Sequence, residues 1–291
     1  MKSKVYFTKN ITKENMIKIY QVLNKKLSGN VAVKLHSGEQ GNQNYLKPEF
    51  LKDIIEYVNG TVVECNTAYK GARNTTEKHL KLLESHGWSK YFKTEILDSD
   101  GEEVLEISEG NTIHKNFVGS HMKNYDSMLV ISHFKGHPMG GFGGAIKNIS
   151  IGLASSYGKK YIHTSGMKNP TYKDLFASDH DKFLESMADA AKSIINFYKD
   201  NILFINVMVN MSVDCDCCAV AKDPTIKDIG ILSSTDPLAL DQACVDLVYN
   251  STDPNKSDLI ERIESRNGIH TLDAAEKINL GNREYELIEI D

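Results

Sequence analysis

His133 and His137 stand four residues apart in the run Ser132-His133-Phe134-Lys135-Gly136-His137-Pro138-Met139-Gly140-Gly141-Phe142-Gly143-Gly144-Ala145-Ile146-Lys147-Asn148. An imidazole can ligate a metal or move a proton near neutral pH. On a helix this spacing would set both rings on one face, as metal sites use it, but Gly136 and Pro138 argue against a helix. Five glycines within nine residues let the backbone turn and a ligand approach closely. The N–H groups around Gly141, Gly143 and Gly144 could cradle an anion, with Lys147 adding charge. Neither familiar phosphate loop fits: the third glycine of the dinucleotide fingerprint is missing, and no glycine directly precedes Lys147. So much glycine beside so many donors is expected to serve a ligand rather than packing.

Cys215, Cys217 and Cys218 form the second concentration of chemistry. Thiolates are soft ligands for iron, zinc or copper(I). Their spacing is not the Cys-x-x-Cys chelate, and Cys65 and Cys244 read as core residues on a strand and an apolar helix face. A mixed site of Cys215, Cys217 and a histidine is one reading; a redox-active or merely buried pair is the other. His36 with Glu39, and Tyr69 with Arg73, occupy two further loops. Arg73 could grip a carboxylate or phosphate in bidentate fashion, or these residues could pin their loops through salt bridges. Asp236 reads as a helix cap, and Asp241 as a solvated helix residue or a partner to a basic group.

These residues need elements to position them. Val31–His36, Thr61–Cys65 and Tyr125–Ile131 read as buried strands. Helices are expected over Lys13–Leu27, from Pro48 and from about Thr75, so strand and helix alternate as βαβ units do. The unusual loops all follow strands, where open α/β sheets bind ligands. Short alternating pieces, Glu95–Leu97 and Glu103–Ile107, predict an antiparallel excursion. Ala145–Ser155 reads as a weak helix, Tyr161–His163 as a strand end, and Asp179–Tyr198 as an amphipathic helix. Ile202–Val209 is a buried strand that delivers the cysteines, and Asp236-Pro237 opens a helix.

The 291-residue chain is long enough for a substantial core, and 41% hydrophobic with 25% charged residues is ordinary globular composition. A net charge of −5 without a basic block gives nucleic acid no footing. The longest apolar run, Ile202–Val213, is broken by Asn206 and Asn210 and too short for a bilayer. The start of the chain lacks the apolar core of a signal peptide, so a cytoplasmic protein is expected.

Several blocks resemble one family: Lys34-Leu35-His36-Ser37-Gly38-Glu39, Asn66-Thr67-Ala68-Tyr69-Lys70-Gly71-Ala72-Arg73, Ser132 to His137, Gly141 to Asn148, Asp214-Cys215-Asp216-Cys217, and Asp228 to Leu232 with Asp236 to Ala243. This is the domain-of-unknown-function 362 family, whose members are often labelled iron–sulfur centre proteins. The resemblance implies ferredoxin-like cysteine repeats after the block ending near His163. Here that place holds Ser165 to Pro170 and the Asp179 helix, without a cysteine. An iron–sulfur role would then rest on the Asp-Cys-Asp-Cys motif.

The expected protein is α/β, with a mostly parallel sheet of βαβ units and a small antiparallel excursion. One domain covers 1–291, with lobes 1–125 and 126–291 as the alternative arrangement. The expected function is a metal- or cofactor-dependent, iron–sulfur-family-like enzyme acting on a small anionic substrate in redox chemistry. Lys34, His36, Arg73, Gly141, Gly143 and Gly144 would bind the anion, and His133, His137 and Lys147 would act on it. Cys215, Cys217, His133 and His137 would hold a metal ion or an iron–sulfur cluster. The rivals are a metal or cofactor carrier without turnover, and a non-redox isomerase or phosphoryl-handling enzyme using the glycine loop. A redox partner protein and a homodimer are the macromolecular partners expected.

Overall fold

The computed structural model describes residues 2–291. In chain order it holds β1 (Ser3–Thr8), α1 (Lys13–Gln21), β2 (Val31–Lys34), α2 (Pro48–Tyr57), β3 (Gly60–Glu64), α3 (Thr76–Ser85), α4 (Trp88–Tyr91) and β4 (Thr94–Ile96). Then come β5 (Glu102–Glu106), β6 (Lys115–Gly119), β7 (Ser127–His133), β8 (Lys135–His137), β9 (Gly141–Gly143), α5 (Ala145–Ser150) and α6 (Ser156–His163). The last are α7 (His180–Tyr198), β10 (Ile202–Met208), β11 (Gly230–Ser234), α8 (Pro237–Tyr249), α9 (Ser257–Ser265), α10 (His270–Lys277) and β12 (Tyr285–Glu289).

One eight-stranded sheet, ordered β12-β1-β11-β10-β7-β2-β3-β4, carries the fold. All its strands except β11 run the same way. The protein is therefore α/β with a mostly parallel sheet. From β2 the chain builds outward to β3 and β4, then returns to β7 and β10 on the other side, so strand order reverses between β2 and β7.

Both faces of the sheet are covered, and the central strands are apolar on both. Met128 and Val130 of β7 face a core that includes Ile146 and Ile149 of α5, Ala188 and Ile194 of α7, and Leu240 of α8. Leu129 and Ile131 face the other core, with Met16 and Ile19 of α1 and Leu51 and Ile54 of α2. Side chains alternate across a strand, which is why a continuous apolar run marks a strand buried twice over.

Several expectations shift in detail. Tyr161–His163 is the last turn of α6, not a strand end; Ser155 caps that helix by accepting from the Gly158 N–H at 2.9 Å. A three-residue apolar fragment cannot distinguish the two periodicities. The expected helix from Lys13 stops at Gln21, and Asn24 takes a left-handed φ of 49°. Only part of the expected excursion is antiparallel: β5 pairs with β6, while β4 joins the main sheet beside β3 in parallel. No helix among the described residues is long and apolar enough to cross a membrane.

Asp241 differs most from expectation. It is fully buried, and its carboxylate accepts the Ala145 and Ile146 N–H groups (2.7 and 2.9 Å) and the Asn206 side-chain amide (2.7 Å). The polar residue that interrupts β10 thus holds, from α8, the acceptor that caps α5. A Cβ on Gly144 would sit 2.3 Å from Asp241 Oδ1, so only glycine admits the carboxylate there. Asp241→Ala would leave buried donors without an acceptor, each costing roughly 1–3 kcal/mol. Thermal unfolding should show a loss of about 3 kcal/mol or more, and Asp241→Asn a smaller one because an acceptor oxygen remains. An unchanged melting temperature in Asp241→Ala would contradict this account.

Candidate functional site

The carboxyl ends of β2, β3 and β7 open into one crevice at the reversal of strand order, where open α/β sheets bind ligands. Its cavity is about 190 Å³, below the roughly 300–1,000 Å³ of pockets for drug-sized molecules, and so fits a small metabolite. Lys34, His36, Arg73, His133, His137, Gly143, Gly144, Lys147 and Cys217 all line it. A roomier groove of about 460 Å³ at the opposite ends of β2 and β3 gathers no histidine or thiol.

Two expected site residues lie apart from the lining. Gly141, at φ 76°, is pressed against Gly268, where a Cβ would come within 2.8 Å of that residue's Cα. Cys215 is buried and does not reach the cavity surface. The head of α5 offers no free anion cradle, because Asp241 occupies its Ala145 and Ile146 N–H groups. Much of the glycine serves packing instead. A Cβ on Gly136 would stand 2.3 Å from the Val213 carbonyl oxygen, so glycine lets the cysteine segment cross β8.

Positive charge collects along the crevice. The Arg73 side chain is buried and fixed by Glu39 (3.2 Å) and by the Tyr69 hydroxyl (2.8 Å), and Tyr69 donates to Glu39 at 3.1 Å. This joins the loop after β2 to the loop after β3. Burial and then the neighbouring Arg73 guanidinium hold His36 well below its ordinary value. Lys34 is buried beside Glu64 at 3.9 Å, and that carboxylate also takes His79 (2.8 Å) and the Ser37 hydroxyl (2.7 Å). Among the described residues, Lys147 and Lys159 have no carboxylate within ion-pair distance, although both line the cavity.

The thiols meet an imidazole at the other side. One ligand atom each of His137, Cys215 and Cys217 lies within 4.8 Å of the others. Nδ1 of His137 accepts from the Met139 and Gly140 N–H groups (3.2 and 2.8 Å), which leaves Nε2 to face the thiols. Burial, and then the Lys147 ammonium, push His137 down to about 4, so the ring is neutral at pH 7. His133 is placed differently. Its Nδ1 meets Asp216 at 2.9 Å and its Nε2 meets the Val209 carbonyl at 2.6 Å, so both nitrogens face protein oxygens. Lys135 approaches the same Asp216 at 3.1 Å. Burial pushes the Asp216 carboxyl up, but His133 and Lys135 overcome it and hold the group well below the usual carboxylate range.

Sequence reasoning did not single out Lys159, Asp216, Glu64, or the Tyr172 and Phe176 pair that also lines the crevice. Asp216 alone carried a signal, by standing between two cysteines. The others are ordinary residues brought in by α6, by the end of β3 and by the loop before α7.

Residues 31–246 match the family described as Domain of unknown function (DUF362). The chain belongs to the DUF362 family. A search of the curated proteins gave no match. Among solved structures, this DUF362 chain is similar in fold to a lactate racemase apoprotein from Thermoanaerobacterium thermosaccharolyticum, at TM-score 0.47 and 14% identity, covering 84% of this chain and 57% of that one. A Thermotoga maritima protein is similar at TM-score 0.47 and 11% identity, covering 88% and 58%. The chain thus spans little more than half the length of either.

The DUF362 chain does not offer four thiolates in one place, as a cysteine-held cluster needs. The Cys65 thiol donates to the Leu153 carbonyl at 3.3 Å, and Cys244 lies by Asn206 at 3.4 Å, and neither belongs to the group that Cys215 and Cys217 form with His137. Two thiols and an imidazole do suit a single soft metal with one position left for a ligand.

Burial pulls the Lys34 ammonium down to about 8, against a partial pull upward from Glu64. A fall from 10.5 to about 8 means that carrying this charge at pH 7 costs the fold on the order of 3 kcal/mol. The depressed group adds stability that is present above 10.5 and lost as pH falls through 8. Lys34→Met should therefore unfold at a higher temperature than the parent at pH 7, the advantage shrinking between pH 8 and pH 10.5. A lower melting temperature at pH 7 would show that the lysine is retained for the fold rather than for the crevice.

Proposed function

We propose that this chain is a metal-dependent enzyme that acts on a small organic anion in redox chemistry. One observation carries the reading: a single crevice joins a surplus of lysine charge to His137 and Cys217, and Cys215 lies buried just behind them, the three grouped within 4.8 Å. Lys34, Lys147 and Lys159 would attract and orient the anion. Cys215 and Cys217 would hold the metal, joined by His137 once its proton moves from Nε2 to Nδ1 and Nδ1 gives up the Met139 and Gly140 N–H groups, and zinc, iron or copper(I) all suit these donors. Bound there, the metal would polarise a substrate oxygen or exchange an electron. Arg73 would keep the strand-end loops in register through Glu39 and Tyr69 rather than travel to the substrate. Asp216 would fix the cysteine loop against β7 and β8, and electron exchange would call for a redox partner protein.

A second reading, thiol redox chemistry without metal, is favoured by Cys218. A hydrogen bond from Cys217 lowers its thiol from the ordinary value against burial, and it is only half-buried. Elemental analysis and absorption spectra of anaerobically purified protein separate the two. About one soft metal per chain is expected, lost in Cys217→Ser and in His137→Gln but kept in His133→Gln. Metal-free parent protein, with a disulfide that forms reversibly among Cys215, Cys217 and Cys218, would replace the metal reading with the second. Iron with acid-labile sulfide would mean that ligands from outside this chain complete a cluster.

A further inference from the structure

The crevice is lined by two unlike sets of residues. The charged set includes Lys34 at the end of β2, Lys147 on α5 and Lys159 on α6. The apolar set is Pro138 and Met139 from the β8–β9 turn, and Tyr172, Leu175 and Phe176 from the segment before α7. That segment is held in place. Leu175 is buried, and Asp174 accepts the Thr171 N–H at 2.7 Å and its hydroxyl at 2.6 Å. Yet Tyr172 and Phe176 remain 51% and 66% exposed, their rings packed edge to face with centroids 5.3 Å apart. Two anchored aromatic rings at the mouth of a charged cavity are not explained by the core.

We propose that the crevice takes an amphipathic organic anion, its carboxylate or phosphate head seated among Lys34, Lys147 and Lys159 and its apolar, ring-sized body under Tyr172 and Phe176. The inference rests on reading the crevice as a small-anion site and adds the chemical class of the anion. Charge arithmetic supports the head group. Arg73 is paired with Glu39, Lys135 with Asp216 and Lys34 with Glu64, whereas Lys147 and Lys159 have no carboxylate partner among the described residues. A ligand bearing one or two negative charges would balance them. The body follows from the rings, since aromatic side chains bury large apolar areas and gain further from edge or offset packing. A protein partner fits less well, because the rings line the same cavity of about 190 Å³ as the lysines, and a folded surface cannot enter it.

Calorimetric titration of the full chain with phenyl phosphate, methyl phosphate, phenylacetate, acetate and benzyl alcohol tests this. At least one phenyl acid should bind ten-fold or more tighter than its methyl counterpart, and benzyl alcohol should bind at least ten-fold weaker than that acid. Substituting Tyr172→Ala together with Phe176→Ala should remove the phenyl advantage and leave the methyl acids unchanged; both positions are surface-exposed, and a retained melting temperature confirms the fold. Lys147→Met should weaken every acid. Equal binding of phenyl and methyl acids, or a phenyl advantage that survives the double substitution, would each overturn the inference while leaving an anion site standing; benzyl alcohol matching the acids would overturn the anion site with it. Absence of binding by all four acids would overturn both the inference and the anion part of the proposed function. The metal part is read separately from metal content.

Discussion

The Asp216 carboxylate is the contact on which the arrangement of the site depends. It is buried between His133 at the end of β7 and Lys135 on β8, and the backbone on either side of it carries Cys215 and Cys217. Its own carbonyl accepts the Glu39 N–H at 2.8 Å, which ties the loop after β2 to the same point. Three segments distant in sequence are thus fixed by one residue. A buried charge cluster of this kind adds little net stability, since desolvation offsets much of the attraction. Removing one member, however, leaves an uncompensated charge at a cost of roughly 3–5 kcal/mol. The cluster selects one conformation of the cysteine loop more than it strengthens the fold.

A second buried carboxylate does the same for the opposite wall. Asp241 holds the head of α5, and α5 carries Lys147 into the crevice. Neither Asp216 nor Asp241 is among the groups that line the cavity. Among the lining residues Glu64 is the one carboxylate, set against Lys34, Lys135, Lys147, Lys159 and Arg73, and the other negative charge is withdrawn into the surrounding structure. That division explains how a chain of net charge −5 presents a cationic interior site. Field strength in a crevice is set by local placement and low-dielectric walls, not by overall charge.

The sheet was legible in the sequence because its central strands are apolar on both faces, so runs such as Met128–Ile131 and Ile202–Ile205 can hardly be anything else. The loops at strand ends were legible for the same reason, and the crevice collects nearly all the residues they suggested. What was not legible depends on which segments meet across the fold. The glycines looked like ligand contacts, yet Gly136 admits Val213, Gly141 admits Gly268 and Gly144 admits Asp241. His133 and His137 looked equivalent, but one has both nitrogens on protein oxygens and the other turns Nε2 to the thiols. Asp241 looked like a solvated helix residue because its partners lie 96, 95 and 35 positions back in the chain, on other elements. Spacing reveals residues that act together on one element, and these residues act between elements.

The two carboxylates also bear on how the halves of the site communicate. Asn206 on β10 donates to Asp241, and the neighbouring Val207 pairs in register with His133 on β7, whose ring meets Asp216. The anchor of the lysine-bearing helix and the anchor of the cysteine loop are therefore separated by one strand pair. A shift of α5 that moved Lys147 would have to break N–H contacts to Asp241, and a shift of the cysteine loop would have to break the charge cluster at Asp216. Both breaks expose buried polar groups, so partial movement is disfavoured on each side. The crevice is consequently rigid where charge and thiols are held. Along its aromatic rim the hold is lighter, because Tyr172 and Phe176 are anchored through the short turn around Leu175 rather than through buried charge.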